Sequence, residues 1–495
     1  MKNSIHLVIA VVLWFSTLSV FAQTNTQFDI VLSGGRVIDP ETKLDAIRNV
    51  GIRDGRIVEI SSNSLTGKET IDVSGLVVSP GFIDLHVHGM TNVEQEYQAH
   101  DGVTSAFELE GGIPFLKEWY ATRTGKAIIN YGASVEWPML RVKATGKYDK
   151  ELAQLKSALA KGESGDGKTW GIIGKYGYEN LNKEQTARLL EYISASLDEG
   201  GIGIGIPVGY LPGATREEVF EIYKLAGEKK VPIISHVREG GAIAVQQAIS
   251  DAVVTNAPLH VVHINSVTLS EIDLAIEMIN TAQKRGFDIT TEIYPYTAAS
   301  TSLESALFDE GWQDKFGISY DGLQWVATGE RLTKETFIKY RKEGGVVIIH
   351  MMKPEWIKSG ISSINTMIAS DGMPYAKLAH PRTAGTFSRV FGKYVREEKI
   401  LSLPAAIEKM TLLPAKRLEG VAPIMRFKGR IQVGTDADIT VFDPNKIVDK
   451  ATFEKGLAFS EGVQFVLVNG VFVLKEGKTV KDVFPGQPVY GKYKR

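Results

Sequence analysis

The feature that most constrains this chain is a regular alternation of short apolar runs with amphipathic helical stretches between residues 81 and 424. Helical segments such as 183–200 and 216–230 separate the apolar runs, and Thr215 is placed to cap the second of them. Such alternation favours parallel βα units, so the sequence predicts an α/β fold with a TIM-type (β/α)8 barrel. A ninth run, 345–352, leaves the strand count at eight or nine. The eight candidate strands are residues 82–88, 103–110, 127–133, 201–208, 231–237, 259–264, 288–294 and 364–370.

The two ends of the chain have a different residue pattern from the middle. Residues 23–80 and 425–495 carry short clusters of Val and Ile that are broken by Gly, Asp and Pro, a pattern typical of strands and turns. We therefore predict one small β-sandwich domain built from both ends, with the barrel occupying residues 81–424. A length of 495 residues fits a large barrel with such an addition.

The first 22 residues are predicted to be a signal peptide. Lys2 precedes a mostly apolar stretch, and Val20 and Ala22 fit the small-residue rule for cleavage before Gln23. The stretch is short for a membrane-spanning helix, which needs about 20 apolar residues. An uncleaved anchor is the alternative. The expectation is a periplasmic or secreted protein with no membrane association once the signal is removed.

Composition excludes several kinds of site. The chain has no cysteine, which rules out disulfides, thiolate zinc sites and cysteine nucleophiles. A bound metal would therefore need His, Asp, Glu or a modified Lys. The 56 basic and 58 acidic residues nearly cancel, so charge gives no reason to expect nucleic acid as a partner. A homo-oligomer stays open.

His86 and His88 lie at the end of the first barrel strand, two residues apart. Because side chains alternate along a strand with a period of two, both imidazoles are predicted to face the barrel mouth, with Asp84 one step deeper. Two neutral imidazoles on one face form a good half-site for zinc.

Three more residues stand at the ends of different strands: His236, His263 and Asp371. Each is a potential ligand or base, because catalytic groups of such barrels gather at the C-terminal ends of the strands. The alternative, histidines that only form hydrogen bonds in the core, would require several coincidences. His260 is an odd number of residues from His263, so it is predicted to face away and to pack in the core.

Glu108 and Glu110 share a face at the end of the second strand, and Glu110 is nearer the C-terminal end. Burying a carboxylate there is costly without a cation, so Glu110 is a candidate ligand that could bridge two metal ions. One alternative is a rim glutamate paired with a basic residue. Another bridge would be Lys175 if it were carboxylated.

The segment Gly162–Thr169 matches the phosphate-loop pattern GxxxxGK[ST], but its context is wrong. It follows a helical stretch rather than a buried strand, and Glu163 and Asp166 would repel phosphate. We predict a surface turn and no nucleotide site.

Several motifs together carry a family resemblance: PGFIDLHVHG, the strand-end His236 and His263, the ASDG around Asp371, YPYTAAS (294–300), HPRTAGTFSRVFGKYVRE (380–397) and GRIQVGTDADITVFDP (429–444). They resemble the amidohydrolase superfamily and, within it, the N-acyl-D-amino-acid deacylases or D-aminoacylases. The resemblance implies a hydrolase with one or two Zn²⁺ that cleaves the amide bond of N-acyl-amino acids, N-acyl-D-amino acids first. It implies a small-molecule amide substrate, and Asp371 is expected to be the base.

The chain departs from that family at two positions. The family has a Cys ligand near Glu110, and Asn265 stands where the family has a Lys that helps bind the substrate carboxylate. A dipeptidase, a lactonase or a cyclic-amide hydrolase on the same metal site therefore stays open, as does a non-catalytic exported binding protein. The expected substrate-binding residues are Tyr210, Tyr294, Tyr296, Arg382 and His380.

Overall fold

The computed structural model describes residues 27–162, 171, 176–376 and 378–495. Its strands, in chain order, are β1 (Phe28–Asp39), β2 (Leu44–Arg53), β3 (Arg56–Ser61), β4 (Gly67–Asp72), β5 (Val77–Pro80), β6 (Phe82–Asp84), β7 (Val103–Ile113), β8 (Asn130–Glu136), β9 (Ile204–Pro207), β10 (Ile233–His236), β11 (Leu259–Val261), β12 (Ile289–Ile293), β13 (Ala299–Ser302), β14 (Leu323–Trp325), β15 (Val346–Ile349), β16 (Thr366–Ile368), β17 (Ile439–Phe442), β18 (Val463–Val468), β19 (Val471–Lys475) and β20 (Lys478–Thr479).

Helices fill most of the connections between these strands. Among the described residues, no helix is both long and apolar enough to span a bilayer. The α-helices are Asn92–His100, Leu116–Arg123, Trp137–Thr145, Asp149–Ala160, Lys183–Asp198, Arg216–Lys229, Ala242–Thr255, Ile264–Thr268, Ile272–Lys284, Trp312–Phe316, Lys334–Glu343, Pro354–Ser362, Arg382–Arg389, Leu403–Met410 and Leu412–Glu419, and a π-helix follows at Val390–Glu397. Short 3-10 turns lie at Val208–Tyr210, Leu269–Glu271, Ala306–Phe308, Tyr320–Gly322 and Pro423–Phe427.

Eight strands form the predicted parallel barrel, in the order β6-β7-β8-β9-β10-β11-β12-β16. They coincide with the eight predicted runs, so the barrel prediction is confirmed. The ninth run, 345–352, was a wrong candidate for the barrel. It supplies β15, which pairs antiparallel with β13 and β14 in a separate three-stranded sheet.

The first and last barrel strands meet at a seam next to the histidine pair. Beyond the ends of β6 and β16, a single parallel bridge joins Val87 to Gly372, and the His88 amide donates a hydrogen bond to the Gly372 carbonyl at 2.6 Å. The Asp84 carboxylate accepts the Ser370 amide at 2.9 Å across the same seam. The seam therefore brings His88 and the chain around Gly372 together.

Two local predictions from the sequence can be compared with the helices. Thr215 caps the helix Arg216–Lys229 by accepting the Glu218 amide, as expected from the sequence. The helix Asp149–Ala160 precedes the phosphate-loop-like motif, which agrees with its predicted helical context. From residue 163 onward that motif lies outside the described residues, as do Lys175 and the predicted signal peptide.

Both ends of the chain contribute to one nine-stranded sheet, with the path β20-β19-β18-β17-β5-β1-β2-β3 and β4 paired to β1. The two ends meet where β5 runs antiparallel to β17. Apolar residues from both ends, such as Leu32, Val78, Ile439 and Phe465, share one buried cluster. The predicted joining of the chain ends is confirmed, and the exact domain limits stay a prediction.

Candidate metal centre

A cavity of about 1520 Å³ opens at the C-terminal ends of the barrel strands. The side sheet forms part of its wall through β13 and β15. It is lined by five of the side chains predicted to bind metal or to act as the base, namely His88, Glu110, His236, His263 and Asp371, and the sixth, His86, is fully buried beside them. The potential ligand atoms of these six residues fall into three overlapping groups of three. The structure therefore brings all six together.

The first group, here called the first position, comprises His86, His88 and Glu110. The Nε2 atoms of the two imidazoles are 3.3 Å apart. Glu110 Oε2 lies 3.2 Å from Nε2 of His86 and 3.3 Å from Nε2 of His88. Three potential ligand atoms thus converge on one point.

The hydrogen bonds of the two Nδ1 atoms indicate how the Nε2 atoms of His86 and His88 can bind a metal. His86 Nδ1 lies 2.5 Å from Glu292, and His88 Nδ1 lies 2.8 Å from Glu108. Because a carboxylate only accepts hydrogen bonds, each imidazole in its neutral form carries the hydrogen on Nδ1 and presents a lone pair at Nε2. Lone pairs facing one another beside a carboxylate repel unless a cation lies between them, and nitrogen and oxygen ligands of this kind suit Zn²⁺.

The second position comprises Glu110, His236 and His263. Glu110 Oε1 lies 2.9 Å from His236 Nδ1 and 3.1 Å from His263 Nε2. Since the other oxygen of Glu110 faces the first position, this one carboxylate links the two groups. The predicted bridging place of Glu110 matches this geometry.

The electrostatics of the cluster also favour a cation. Burial alone would lower the pKa of His86, but Asp371 and Glu292 raise it well above its usual value. The pKa of His88 is likewise raised, against its burial, by Glu108 and the neighbouring carboxylates. The acidic surroundings therefore attract positive charge to the imidazoles, as a protein site for a divalent metal must.

Asp371 lies at the edge of the cluster and is held from the opposite side by Arg382. Its Oδ1 is 3.3 Å from His88 Nε2, 3.5 Å from His86 Nε2 and 2.9 Å from Arg382 Nη2. Burial would raise the pKa of Asp371, yet Arg382 and then His86 lower it below its usual value. The carboxylate is therefore ionised at neutral pH and lies beside the proposed metal, where it can accept a proton.

Two of these residues owe their direction to an unusual backbone. His263 and Asp371 have φ angles of 33° and 52°, in the left-handed region that L-residues seldom adopt. The strand β11 ends at Val261, so alternation along the strand no longer applies at His263. The prediction that His260 faces away from His263 was therefore wrong, whereas its predicted place in the core is confirmed, because it is 1% exposed. His260 points into the barrel interior, where its Nε2 lies 2.9 Å from Glu292 Oε2.

The predicted substrate-binding residues fall into two classes. Tyr210 and His380 line the cavity, and the Tyr210 hydroxyl bonds to Thr301 Oγ1 at 2.9 Å. His380 uses both ring nitrogens on the backbone, because Nε2 donates to the Ala298 carbonyl and Nδ1 accepts the Arg382 amide. The His380 side chain therefore stabilises the local fold, and its ring nitrogens are already occupied by these backbone contacts.

The other three candidates need correction. The Tyr296 hydroxyl donates to Asp449, and neither it nor Tyr294 lines the cavity. The guanidinium of Arg382 lies 4.6 Å over the Tyr294 ring and is committed to Asp371. Each contact joins a residue of one motif to a residue outside it, so the motifs gave no sign of the direction of these side chains.

Four residues near the site were not assigned from the sequence: Glu108, His260, Glu292 and Lys315. Glu108 and Glu292 hold the imidazoles of the first position, and Lys315 lines the cavity. A signal existed for two of them, since Glu108 shares a face with Glu110 and Glu292 interrupts an apolar barrel strand. Lys315 gave none, because it lies in a connection far from any strand end.

Known proteins resemble this chain along nearly all of its length, although no protein-family model matches it. The N-acyl-D-glutamate deacylase of Alcaligenes xylosoxydans xylosoxydans is 28% identical over 491 residues, covering 91% of this chain and 94% of that protein. The D-aminoacylase of the same organism is 28% identical over 489 residues, covering 94% of this chain and 98% of that protein.

A solved structure supports the same fold. The N-acyl-D-glutamate deacylase of Bordetella bronchiseptica, crystallised with zinc and a phosphonate mimic of the tetrahedral intermediate, superposes with a TM-score of 0.78. The match covers 94% of this chain and 100% of that one, at 24% identity. The predicted barrel fold is thereby confirmed, and the two relatives confirm the resemblance to N-acyl-D-amino-acid deacylases that the motifs predicted.

Proposed function

We propose that this homologue of the D-aminoacylases is a zinc-dependent hydrolase that cleaves the amide bond of N-acyl-amino acids, N-acyl-D-amino acids first. The relatives support a hydrolase that acts on amide C–N bonds of a small molecule. The observation that carries the proposal is the set of lone pairs from His86, His88 and Glu110 converging on one point in the cavity.

The protein residues divide the work of the reaction. Glu110 and the four imidazoles would hold one or two Zn²⁺, and the bound metal would supply a Lewis acid that lowers the pKa of water and polarises the substrate carbonyl. Asp371 removes a proton from the attacking water and returns it to the leaving amine. Arg382 keeps Asp371 ionised before attack and fixes its orientation.

The cavity also has a feature that suits an anionic substrate. Lys315 lines it, as do Arg123, Lys126 and Lys161. Lys315 acts on the metal site itself, because its charge adds to burial in lowering the pKa of His236. Asn265 cannot bind a substrate carboxylate, because its side-chain amide is fully buried and donates to the Tyr294 carbonyl. We therefore assign the substrate carboxylate to the side of the cavity that carries Lys315.

A substrate panel tests the proposal. Zinc-loaded protein is expected to hydrolyse N-acetyl-D-amino acids faster than their L-enantiomers and faster than the same compounds with an amidated carboxylate. Protein stripped with a chelator should lose this activity and regain it with Zn²⁺. Dipeptides, lactones and cyclic amides in the same panel represent the alternatives, and faster turnover of any of them would replace the proposed substrate while keeping the hydrolase.

The pair of Arg382 and Asp371 predicts a change in pH dependence. In Arg382→Met the pKa of Asp371 should rise, because the guanidinium is the main group that lowers it. A base must be ionised to act, so the acid limb of kcat/KM is expected to move to higher pH, by about 1–3 units. The measurement is a pH–rate profile of each variant.

Two further variants make that result interpretable. Arg382→Lys keeps the charge and should leave the limb close to its original pH. Arg389→Met removes a neighbouring arginine that pairs with Asp449 at 2.8 Å instead, and should not move the limb. An acid limb that stays in place in a folded Arg382→Met protein would contradict the role of Arg382.

Export is a second part of the proposal and rests on the N-terminal sequence. The charged start, the apolar stretch and the small residues at Val20 and Ala22 favour cleavage before Gln23 and a periplasmic or secreted protein. Intact-mass measurement of protein from the native compartment should give a chain that starts at Gln23. Full-length protein retained in membranes would support the anchor instead.

A further inference from the structure

We propose that Glu292 and His260 are positioning residues that fix the tautomer and orientation of His86, and so create the first metal position. The inference rests on the proposed function, because it concerns the metal site of the hydrolase. It adds a buried support below the cavity that contacts neither metal nor substrate.

The support is a chain of hydrogen bonds that joins His86, two residues beyond the end of β6, to residues of β11 and β12. Glu292 on β12 accepts His86 Nδ1 with Oε1 at 2.5 Å and His260 Nε2 with Oε2 at 2.9 Å. His260 on β11 in turn has its Nδ1 2.8 Å from the Thr290 hydroxyl. The side chains of His86, His260 and Glu292 are 2% exposed or less, so water does not compete for these contacts.

The direction of these bonds determines what His86 can do. A neutral imidazole carries one hydrogen, and a carboxylate partner on Nδ1 places it there. The Nε2 lone pair is then free to face Glu110 and His88. With the second oxygen of Glu292 held by His260, the carboxylate cannot rotate away from His86, so the ring plane is fixed as well.

The two metal positions differ in this support. His88 is held by Glu108 in the same manner as His86 by Glu292. At the second position, by contrast, His263 Nδ1 is buried and has no hydrogen-bond partner among the described residues. Loss of Glu292 should therefore weaken the first position selectively, whereas a general loosening of the barrel would weaken both.

A Zn²⁺ titration of metal-depleted protein measures this selectivity. In Glu292→Gln the affinity of the first position is expected to fall about 10- to 100-fold, the usual effect of removing a carboxylate behind a metal-binding His. The second position should change less than about threefold. His236→Ala, which removes a ligand of the second position only, assigns the two binding steps.

The matched control is Glu218→Gln. Glu218 is another buried carboxylate, paired with Arg141 at 2.9 Å, but it contacts none of the metal-site residues. This variant should lower the melting temperature and leave both zinc affinities unchanged. His260→Gln provides a second test, with a smaller loss at the first position only, and it decides the matter if Glu292→Gln does not fold.

The outcomes separate the two proposals. Equal losses at both positions, or unchanged zinc binding in folded Glu292→Gln and His260→Gln, would overturn the positioning role while leaving the hydrolase in place. If the wild-type protein binds no zinc at either position, the proposed function itself fails. A loss of zinc affinity at the first position alone supports both the positioning role and the proposed function.

Discussion

Asp371→Asn is expected to lower kcat by about 10²- to 10⁴-fold while the protein keeps its zinc. The amide has the shape of the carboxylate but cannot take a proton from water. Asn also tolerates the left-handed backbone that this position requires, with its φ of 52°, so the fold should survive. Steady-state kinetics together with zinc analysis by mass spectrometry measure the effect.

The metal content decides between two roles for Asp371. Its Oδ1 also belongs to a potential ligand group with His86 and His263. If Asp371→Asn lost zinc in parallel with activity, Asp371 would be a ligand first and a base second. Wild-type turnover in a zinc-loaded Asp371→Asn protein would remove the base assignment altogether.

Glu110→Gln is expected to empty both metal positions and to abolish activity. Glu110 lies within 3.3 Å of a ring nitrogen of each of the four imidazoles, and it supplies the negative charge between the two positions. The neutral amide removes that charge and points N–H groups at lone pairs that need a cation. Zinc affinity should fall by more than about 100-fold, beyond the effect of losing an outer carboxylate.

Glu108→Gln is the matched control for that variant. Glu108 lies two residues away, and its carboxylate contacts one of the four imidazoles, that of His88, at 2.8 Å and accepts the Gly111 amide at 3.1 Å. Its loss should weaken the first position and spare the second. A Glu110→Gln protein that still binds two zinc ions with wild-type affinity would show that Glu110 does not bridge them.

The barrel could be predicted from the sequence because its signal is local and repeated. Each strand is a short apolar run between helical segments, and all eight runs were found. The alternation of side chains along a strand predicted that His86 and His88 lie together, and the ends of the apolar runs predicted that His236 and Asp371 stand at strand ends. Proximity then followed from the fold, because the C-terminal ends of barrel strands meet at one mouth.

Local patterns failed where direction depends on distant partners. Alternation gave the wrong side for His260, because β11 ends before His263 and the backbone there turns left-handed. Arg382 and Tyr296 were expected at the substrate, but an ion pair with Asp371 and a hydrogen bond to Asp449 commit them elsewhere. No spacing rule reveals such pairs.

The joining of the two chain ends in one sheet has a consequence for the order of synthesis. Strand β5 is complete early, yet its antiparallel neighbour β17 lies beyond the entire barrel. At ~5–20 residues per second a ribosome needs roughly 20–70 s to bridge that interval. During this time the apolar edge of β5 stays without its partner and is open to wrong pairing. The small domain can therefore be completed only after the barrel strands have been synthesised.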